Sequence, residues 1–250
     1  MKPLPSERLL RLLRDRLQEQ TGLAYSDSQL FLLKSRLGEL PWEIHDLSRT
    51  LLSPAPLPGV IVDLLTIGET YFFRNLAQFH ALAELLPSIR AQGPLTFWSA
   101  GCATGEEPYT LAIWLKESFP HLWPDGVRIV ATDLNGTYLE RALQGRYSPW
   151  SLRQVDAGRR STYFHRDGET YILDDSIRRT VIFEEHNLLS RHLPRAIAPG
   201  QVHILFCRNV FIYFQPEAVR RAILLLEAAL APEGILLLGH AESREPFRGW

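Results

Sequence analysis

Apolar positions along the chain change rhythm twice. From Ser6 to about Leu65 they fall at helix spacing, with Leu9, Leu10, Leu13 and Leu17 on one face. Ser6 is a candidate N-cap for that helix and Gly22 a candidate stop. Asp27 or Ser28 could cap a second helix that carries Leu30, Leu33 and Leu37 and ends near Gly38. SPAPLPG, from Ser53 to Gly59, reads as a proline-stiffened connection. A last apolar run, Val60 to Leu65, leads into TIGETYFFRN. Beyond it the pattern alternates. LTFWSAG (Leu95–Gly101), VRIVATD (Val127–Asp133), RTVIFEEHNLL (Arg179–Leu189), VHILFCRN (Val202–Asn209) and GILLLGHAE (Gly234–Glu242) read as strands. Helical patterns cover Glu107 to Phe119, Thr137 to Leu143 and Pro216 to Leu230. Apolar strands separated by helices predict a parallel sheet covered on both faces, an α/β fold. A polar stretch, about Arg146 to Ile177, breaks this rhythm, and YFHRDGETYIL predicts a small hairpin around Asp167-Gly168.

Composition narrows the function classes. With 46% apolar and 22% charged residues and a net charge of −1, nothing in the bulk electrostatics points to nucleic acid or acidic lipid. Cys102 and Cys207 both lie in apolar runs, which predicts reduced core thiols rather than a disulfide or a metal site. The histidines show no zinc-ligand spacing. Trp98, Trp114 and Trp123 are core candidates, while the pairs Arg159–Arg160 and Arg178–Arg179 are expected to be solvated. The N-terminus has no apolar signal core, and the longest apolar runs are too short or too interrupted to span a bilayer. A cytoplasmic protein with no membrane insertion is expected.

The candidate chemistry centres on WSAGCATGEEPYTLAI, Trp98 to Ile113. Gly101 and Gly105 fall at the end of the first strand, where ligands bind in open parallel sheets, and glycine permits close backbone approach. The dinucleotide fingerprint G-x-G-x-x-G and the phosphate loop G-x-x-x-x-G-K-[ST] are both missing. Glu106 and Glu107 stand where a phosphate would want bare N–H groups. Two carboxylates there repel phosphate and suit a cation such as the ammonium and sulfonium of S-adenosylmethionine. Asp133, ending the next strand, is placed to accept hydrogen bonds from ribose hydroxyls. The alternative is that both glutamates only complement the helix dipole and that Asp133 is structural.

The ordered set TYFFRN, WSAGCATGEEPYTLAI, ATDLNGTYLERALQGRY, HNLL, FCRNVFIYF and LLLGHAES closely resembles the chemotaxis receptor methyltransferase family, CheR-type, from about Leu9 to Ser243. The resemblance implies a class I S-adenosylmethionine-dependent methyltransferase domain, Rossmann-like with a mostly parallel sheet (residues 67–250). It also implies a helical N-terminal domain (1–66) and a small inserted β-subdomain (146–180). The implied reaction forms methyl esters on glutamates of the cytoplasmic domain of methyl-accepting chemoreceptors. By position, Thr70 and Arg74 match residues near the methyl end of the cofactor, and Glu107 matches the family's cofactor-binding glutamate. Asp133 matches the ribose-binding aspartate, Asn187 and Leu188 a pair on the adenine side, and Arg208 and Asn209 a pair beside the cofactor, while Gly101 belongs to the cofactor-binding glycine loop after the first strand. Tyr213 matches a tyrosine near the reacting centre. Because a glutamate carboxylate is already ionised at neutral pH, no general base is needed, and Arg74 with Tyr213 is expected to orient it. His240 matches a family position but reads better as a structural hydrogen-bonder.

Several features depart from that pattern. Gly68 stands where family members often carry Asn. HRDGETYILDD is short and has only Gly168, so no tether to a receptor C-terminal pentapeptide is expected. The usually basic second helix offers only Lys34, Arg36 and, further on, Arg49, with Glu39 and Glu43 intermixed. Little sequence follows GHAES for a closing antiparallel hairpin, which suggests reduced last strands or a chain cut from a longer protein. Two competing readings follow. A nicotinamide-linked oxidoreductase is disfavoured by the missing third glycine and the acidic pair. A non-catalytic receptor- or signal-binding module that retains the fold is left room by Gly68 and the short insert.

Overall fold

The computed structural model describes residues 6–26, 30–38, 44–89, 91–242 and 247. Asp27, Ser28, Glu39, Glu43 and Ser243 lie outside the described residues. Helix α1 (Glu7–Thr21) starts where the Leu9 N–H meets the Ser6 hydroxyl at 3.3 Å and stops at Gly22 in the left-handed conformation, φ 77°. Helices α2 (Leu30–Leu37), α3 (Ile44–Leu52) and α4 (Gly59–Leu65) follow. Leu13, Leu17, Leu47, Leu51, Ile61 and Leu65 bury together as a core separate from that of the sheet. Helix α5 (Leu76–Leu85) leads to β1 (Leu95–Ala100), α6 (Glu106–Ser118), β2 (Val127–Asp133) and α7 (Gly136–Gln144). Next come β3 (Arg146–Tyr147), α8 (Ala157–Tyr163), β4 (Phe164–Asp167), β5 (Thr170–Leu173) and α9 (Asp175–Arg178). The chain then returns to β6 (Val181–Glu185), β7 (Val202–Cys207), α10 (Pro216–Ala229) and β8 (Leu230–Leu238).

The main sheet has the order β6-β2-β1-β7-β8, and every neighbouring pair is parallel. Its order reverses at β1, so the C-terminal ends of β1 and β7 open a crevice between them. The six residues of β1 are all buried, as a central strand covered by helices on both faces requires. Cys102 and Cys207 are buried free thiols, Trp98 and Trp114 are core residues, and Trp123 packs against that core. The last strand begins at Leu230 rather than Gly234, because a bulge after the Val202–Leu230 pair shifts the register of the apolar run.

Strands β3, β5 and β4 form a separate antiparallel sheet, with Gly168 (φ 59°) in the predicted hairpin turn. The expectation of solvated arginine pairs fails for three of the four. Arg159 pairs with Glu117 at 2.8 Å, Arg160 donates to the carbonyls of Leu152 and Val155, and Arg178 donates to Gln144. Arg159 and Arg178 brace the insert against α6 and α7, Arg160 braces it internally, and of the four only Arg179 is solvated, at 80% exposure. Helix α5 was absent from the pattern reading, although Phe79, Leu82 and Leu86 bury with helical spacing.

Asn135 joins the N-terminal helices to the sheet. Its amide nitrogen donates to Asp63 O (2.9 Å) and Thr66 Oγ1 (2.6 Å), and its oxygen caps α7 by accepting from Tyr138 N (2.9 Å). The residue is fully buried, so truncation would strand three partners away from water. Asn135→Ala is expected to lower unfolding stability by about 2–4 kcal/mol in urea titrations.

Candidate active site

The loop after β1 is shaped by its glycines. Gly101 has φ 77°, and a Cβ there would lie 2.5 Å from Val210 Cγ2. Gly105 has φ 91°, and a Cβ there would lie 2.8 Å from Ala142. Between them the Ala103 N–H donates to Asp133 Oδ2 at 2.8 Å, while Oδ1 of Asp133 accepts from Asn135 N at 2.9 Å. The Asp133 carboxylate is thus fixed by backbone donors from two loops. Burial raises its pKa, opposed by these N–H groups.

The acidic pair splits. Glu106 turns inward, is 2% exposed and accepts from Thr104 Oγ1 at 2.6 Å, so the expectation that both glutamates serve a cation is corrected. Consecutive helical side chains point about 100° apart, and only one of the two can face the crevice. Glu107 is that one. It accepts from Ser99 Oγ at 2.7 Å and from Arg208 Nη1 at 3.1 Å. Burial raises its pKa, with Arg208 and then Ser99 opposing. Arg208 also donates through Nη2 to the Arg74 carbonyl at 2.7 Å.

Arg74 lies between two residues in the left-handed region, Phe73 and Asn75, each with φ 60°. Such conformations are costly for non-glycine residues and persist where surrounding contacts enforce them. Here the Phe73 N–H donates to Thr110 Oγ1 on α6 at 2.9 Å. The Arg74 side chain donates to the Glu69 carbonyl (3.0 Å) and forms no ion pair among the described residues. Tyr213 ends a 3-10 turn, Phe211–Tyr213, opposite this segment. The turn is anchored by Glu242, whose Oε1 accepts from Val210 N and Phe211 N, both at 2.8 Å, and whose Oε2 accepts from Gly239 N. Glu242 had no role in the sequence reading, although it lies in GHAES two residues from His240. His240 itself is exposed, 3.5 Å from the Asn75 amide, and lies outside this cleft.

One cleft brings together Thr70, Arg74, Gly101, Glu107, Asp133, Asn187, Leu188, Arg208, Asn209 and Tyr213. The side-chain amide of Asn187 is engaged at both ends, donating to Gln20 O (2.7 Å) and accepting from Leu189 N (2.9 Å). That bond ties α1 to the cleft, which explains why Thr21 and Leu23 also line it. A backbone bond from Ala24 N to Tyr213 O, 2.7 Å, does the same. Sequence spacing gave no signal for these two, since they come from a different segment. Cys102 lines the wall as a neutral thiol, its pKa pushed up by burial and by Asp133.

The donor set fits S-adenosylmethionine. Glu107 and Asp133 offer carboxylate oxygens to an ammonium and to ribose hydroxyls. Among the described residues Asn209 Oδ1 and His186 Nε2 are buried without hydrogen-bond partners, and both residues line the cleft. Unsatisfied polar atoms at a cleft wall are what a polar ligand completes. The sequence model described as "CheR methyltransferase, SAM binding domain" matches residues 68–248. The chain belongs to the CheR methyltransferase family. Among similar proteins of this family, "Chemotaxis protein methyltransferase" of Vibrio parahaemolyticus is 35% identical over 91% of this chain and 86% of its own length. "Chemotaxis protein methyltransferase 2" of Pseudomonas aeruginosa is 34% identical over 92% of this chain and 84% of its own. The protein of that name from Vibrio cholerae is 31% identical over 92% and 83%.

In this CheR-family cleft a cationic ligand held by Glu107, with its hydroxyls on Asp133, would need both carboxyls ionised. Protonation competes with the ligand, and both carboxyls take up protons above their ordinary range. Affinity for S-adenosylmethionine, measured by calorimetry, is therefore expected to fall as pH decreases. The fall should begin above the usual glutamate pKa of about 4.5, not below it.

Proposed function

We propose that the protein transfers a methyl group from S-adenosylmethionine to glutamate side chains of chemoreceptors, as a protein-glutamate O-methyltransferase. The observation that carries this reading is an arginine with no ion pair among the described residues, Arg74, in the same cleft as Glu107 and Asp133. S-adenosylmethionine supplies an electrophilic methyl group on a sulfonium when bound. The chain's own residues do the rest. Glu107 and Asp133 hold the donor's polar ends, with Thr70, Asn209 and Leu188 along the wall. Arg74 binds one oxygen of the incoming carboxylate and leaves the other free to attack, and the Tyr213 hydroxyl fixes its approach. Since the carboxylate arrives ionised, orientation and exclusion of water are the main tasks.

The helical segment 1–66 serves here as a separate unit that also closes one side of the cleft, beside the catalytic unit 67–250 with its insert 146–180. Of the basic residues considered for gripping the receptor, Arg36 is committed to the carbonyl of Leu64 at 2.7 Å and Arg49 lies 3.7 Å from Asp46 in an exposed pair, which leaves Lys34 and a solvent-facing Arg49. Among the described residues no helix is long and apolar enough to cross a membrane.

Arg74→Ala is expected to lower kcat/KM for receptor methylation by about 10²–10³-fold, and Tyr213→Phe by about tenfold. Near-normal turnover of both variants in a radiolabel transfer assay would remove their assigned roles. The short hairpin around Gly168 leads to a further expectation. A calorimetric titration with a receptor C-terminal pentapeptide should show no tight binding.

A further inference from the structure

The turn that opens the insert lies directly on the segment carrying Arg74. Phe72 N donates to the Ser151 carbonyl at 3.0 Å, and the Phe72 ring meets Tyr147 and Phe164 edge-on at 4.8 and 4.9 Å. On the outside of this junction the Arg153 guanidinium stacks 3.6 Å from the Tyr71 ring centroid and 4.1 Å from that of Trp150. Its Nη1 donates to the Trp150 carbonyl at 2.7 Å. Arg74 lies over the same Tyr71 ring at 5.6 Å, and Tyr71 itself lines the cleft. A ladder of Trp150, Arg153, Tyr71 and Arg74 thus runs from the outer surface to the reacting end of the cleft.

Two properties mark this ladder. Among the described residues Arg153, like Arg74, forms no ion pair; Arg146, Arg159, Arg178 and Arg179 do, and Arg160 and Arg166 donate to backbone carbonyls of the insert. Trp150 is 70% exposed, a large ring left in water beside a functional cleft. A guanidinium clamped between two rings has already lost much of its conformational freedom, so little more is lost when it meets a carboxylate. An exposed tryptophan next to such an arginine is the composition of a binding hot spot.

We propose that Tyr71, Arg153 and Trp150 form a docking subsite for the acidic receptor segment, and that Arg153 reads a carboxylate flanking the methylated glutamate. This rests on the glutamate methyltransferase reading. Because Arg74 and Arg153 share one ring, the two carboxylates they meet are near neighbours on the receptor. On a helix that means within one turn, where side chains lie about 5–6 Å apart. Trp150 covers the aliphatic surface between them. The subsite therefore selects which glutamate is modified, while Arg74 orients the one that reacts.

The test uses the full chain, tritiated S-adenosylmethionine and a soluble chemoreceptor cytoplasmic fragment. In a second fragment, acidic residues within one turn of the methylated glutamate are changed to amides. The second fragment is expected to lose about five- to tenfold in kcat/KM with the unaltered enzyme. Arg153→Gln should show a similar loss on the unaltered fragment, through KM rather than kcat, and should no longer distinguish the two fragments. Arg153→Lys, which keeps charge but not the flat stack, should recover only part of the affinity. Trp150→Ala, which leaves Arg153 in place, should also raise KM. Calorimetric affinity for S-adenosylhomocysteine reports that each variant is folded. Retention of the unaltered KM by Arg153→Gln, or continued discrimination between fragments, overturns the subsite and leaves the methyltransferase reading standing. Absence of any labelling by the unaltered enzyme overturns both.

Discussion

Glu107 and Arg208 form an ion pair at the base of the cleft, with side chains 15% and 2% exposed. A pair this far from water gains little net stability, because desolvation offsets most of its attraction. Its value is geometric. Ser99 of β1 donates to one oxygen of Glu107 and Arg208 to the other, while a second arm of Arg208 reaches the Arg74 carbonyl. One charge pair therefore fixes four stretches of chain: β1, α6, the end of β7 and the Thr70–Arg74 segment. Remove either member and the other is left buried and uncompensated.

The same arrangement divides the charge of the cleft. Arg208 already balances Glu107 in part, so the negative charge that faces the cleft is shared by Glu107 and Asp133, with Glu106 withdrawn into the protein. Arg74, which forms no ion pair among the described residues, lines the same cleft, so both signs of charge are present in it. A cation and an anion can be brought to adjacent positions in a low-dielectric cleft only if each has its own counter-charge.

Structural elements far apart in the chain contribute the rim. The end of α1 meets the Tyr213 turn through Ala24 and the Asn187 loop through Gln20. The insert meets the Thr70–Arg74 segment through Ser151. Glu242, after the last strand, holds the Val210–Phe211 backbone. The reacting end of the cleft is thus held by parts of the chain outside the central sheet. This leaves the sheet as a fixed floor and puts the exposed Trp150 and the stacked Arg153 on a surface built by the insert.

Much of this was legible in the residues. Apolar runs between helical patterns are enough to specify a parallel sheet, since only strands buried on both faces read that way, and Gly101 and Gly105 mark the loop where backbone must come close. Ser6 and Gly22 announce a helix because capping and left-handed stops are local chemistry. Tertiary structure alone decided which charges are free. Glu106 and Glu107 are adjacent and chemically identical, yet one is sealed inside and the other faces the cleft, because helix rotation against the sheet sets direction. Arg159 and Arg178 looked solvated, since Glu117 and Gln144 lie 42 and 34 residues away, and Arg160 because backbone carbonyls as acceptors leave no mark in the sequence. Glu242 and Arg153 likewise acquire meaning only from distant neighbours. Patterns of burial are written along a chain, but the pairing of one charge with another depends on where the folded segments meet.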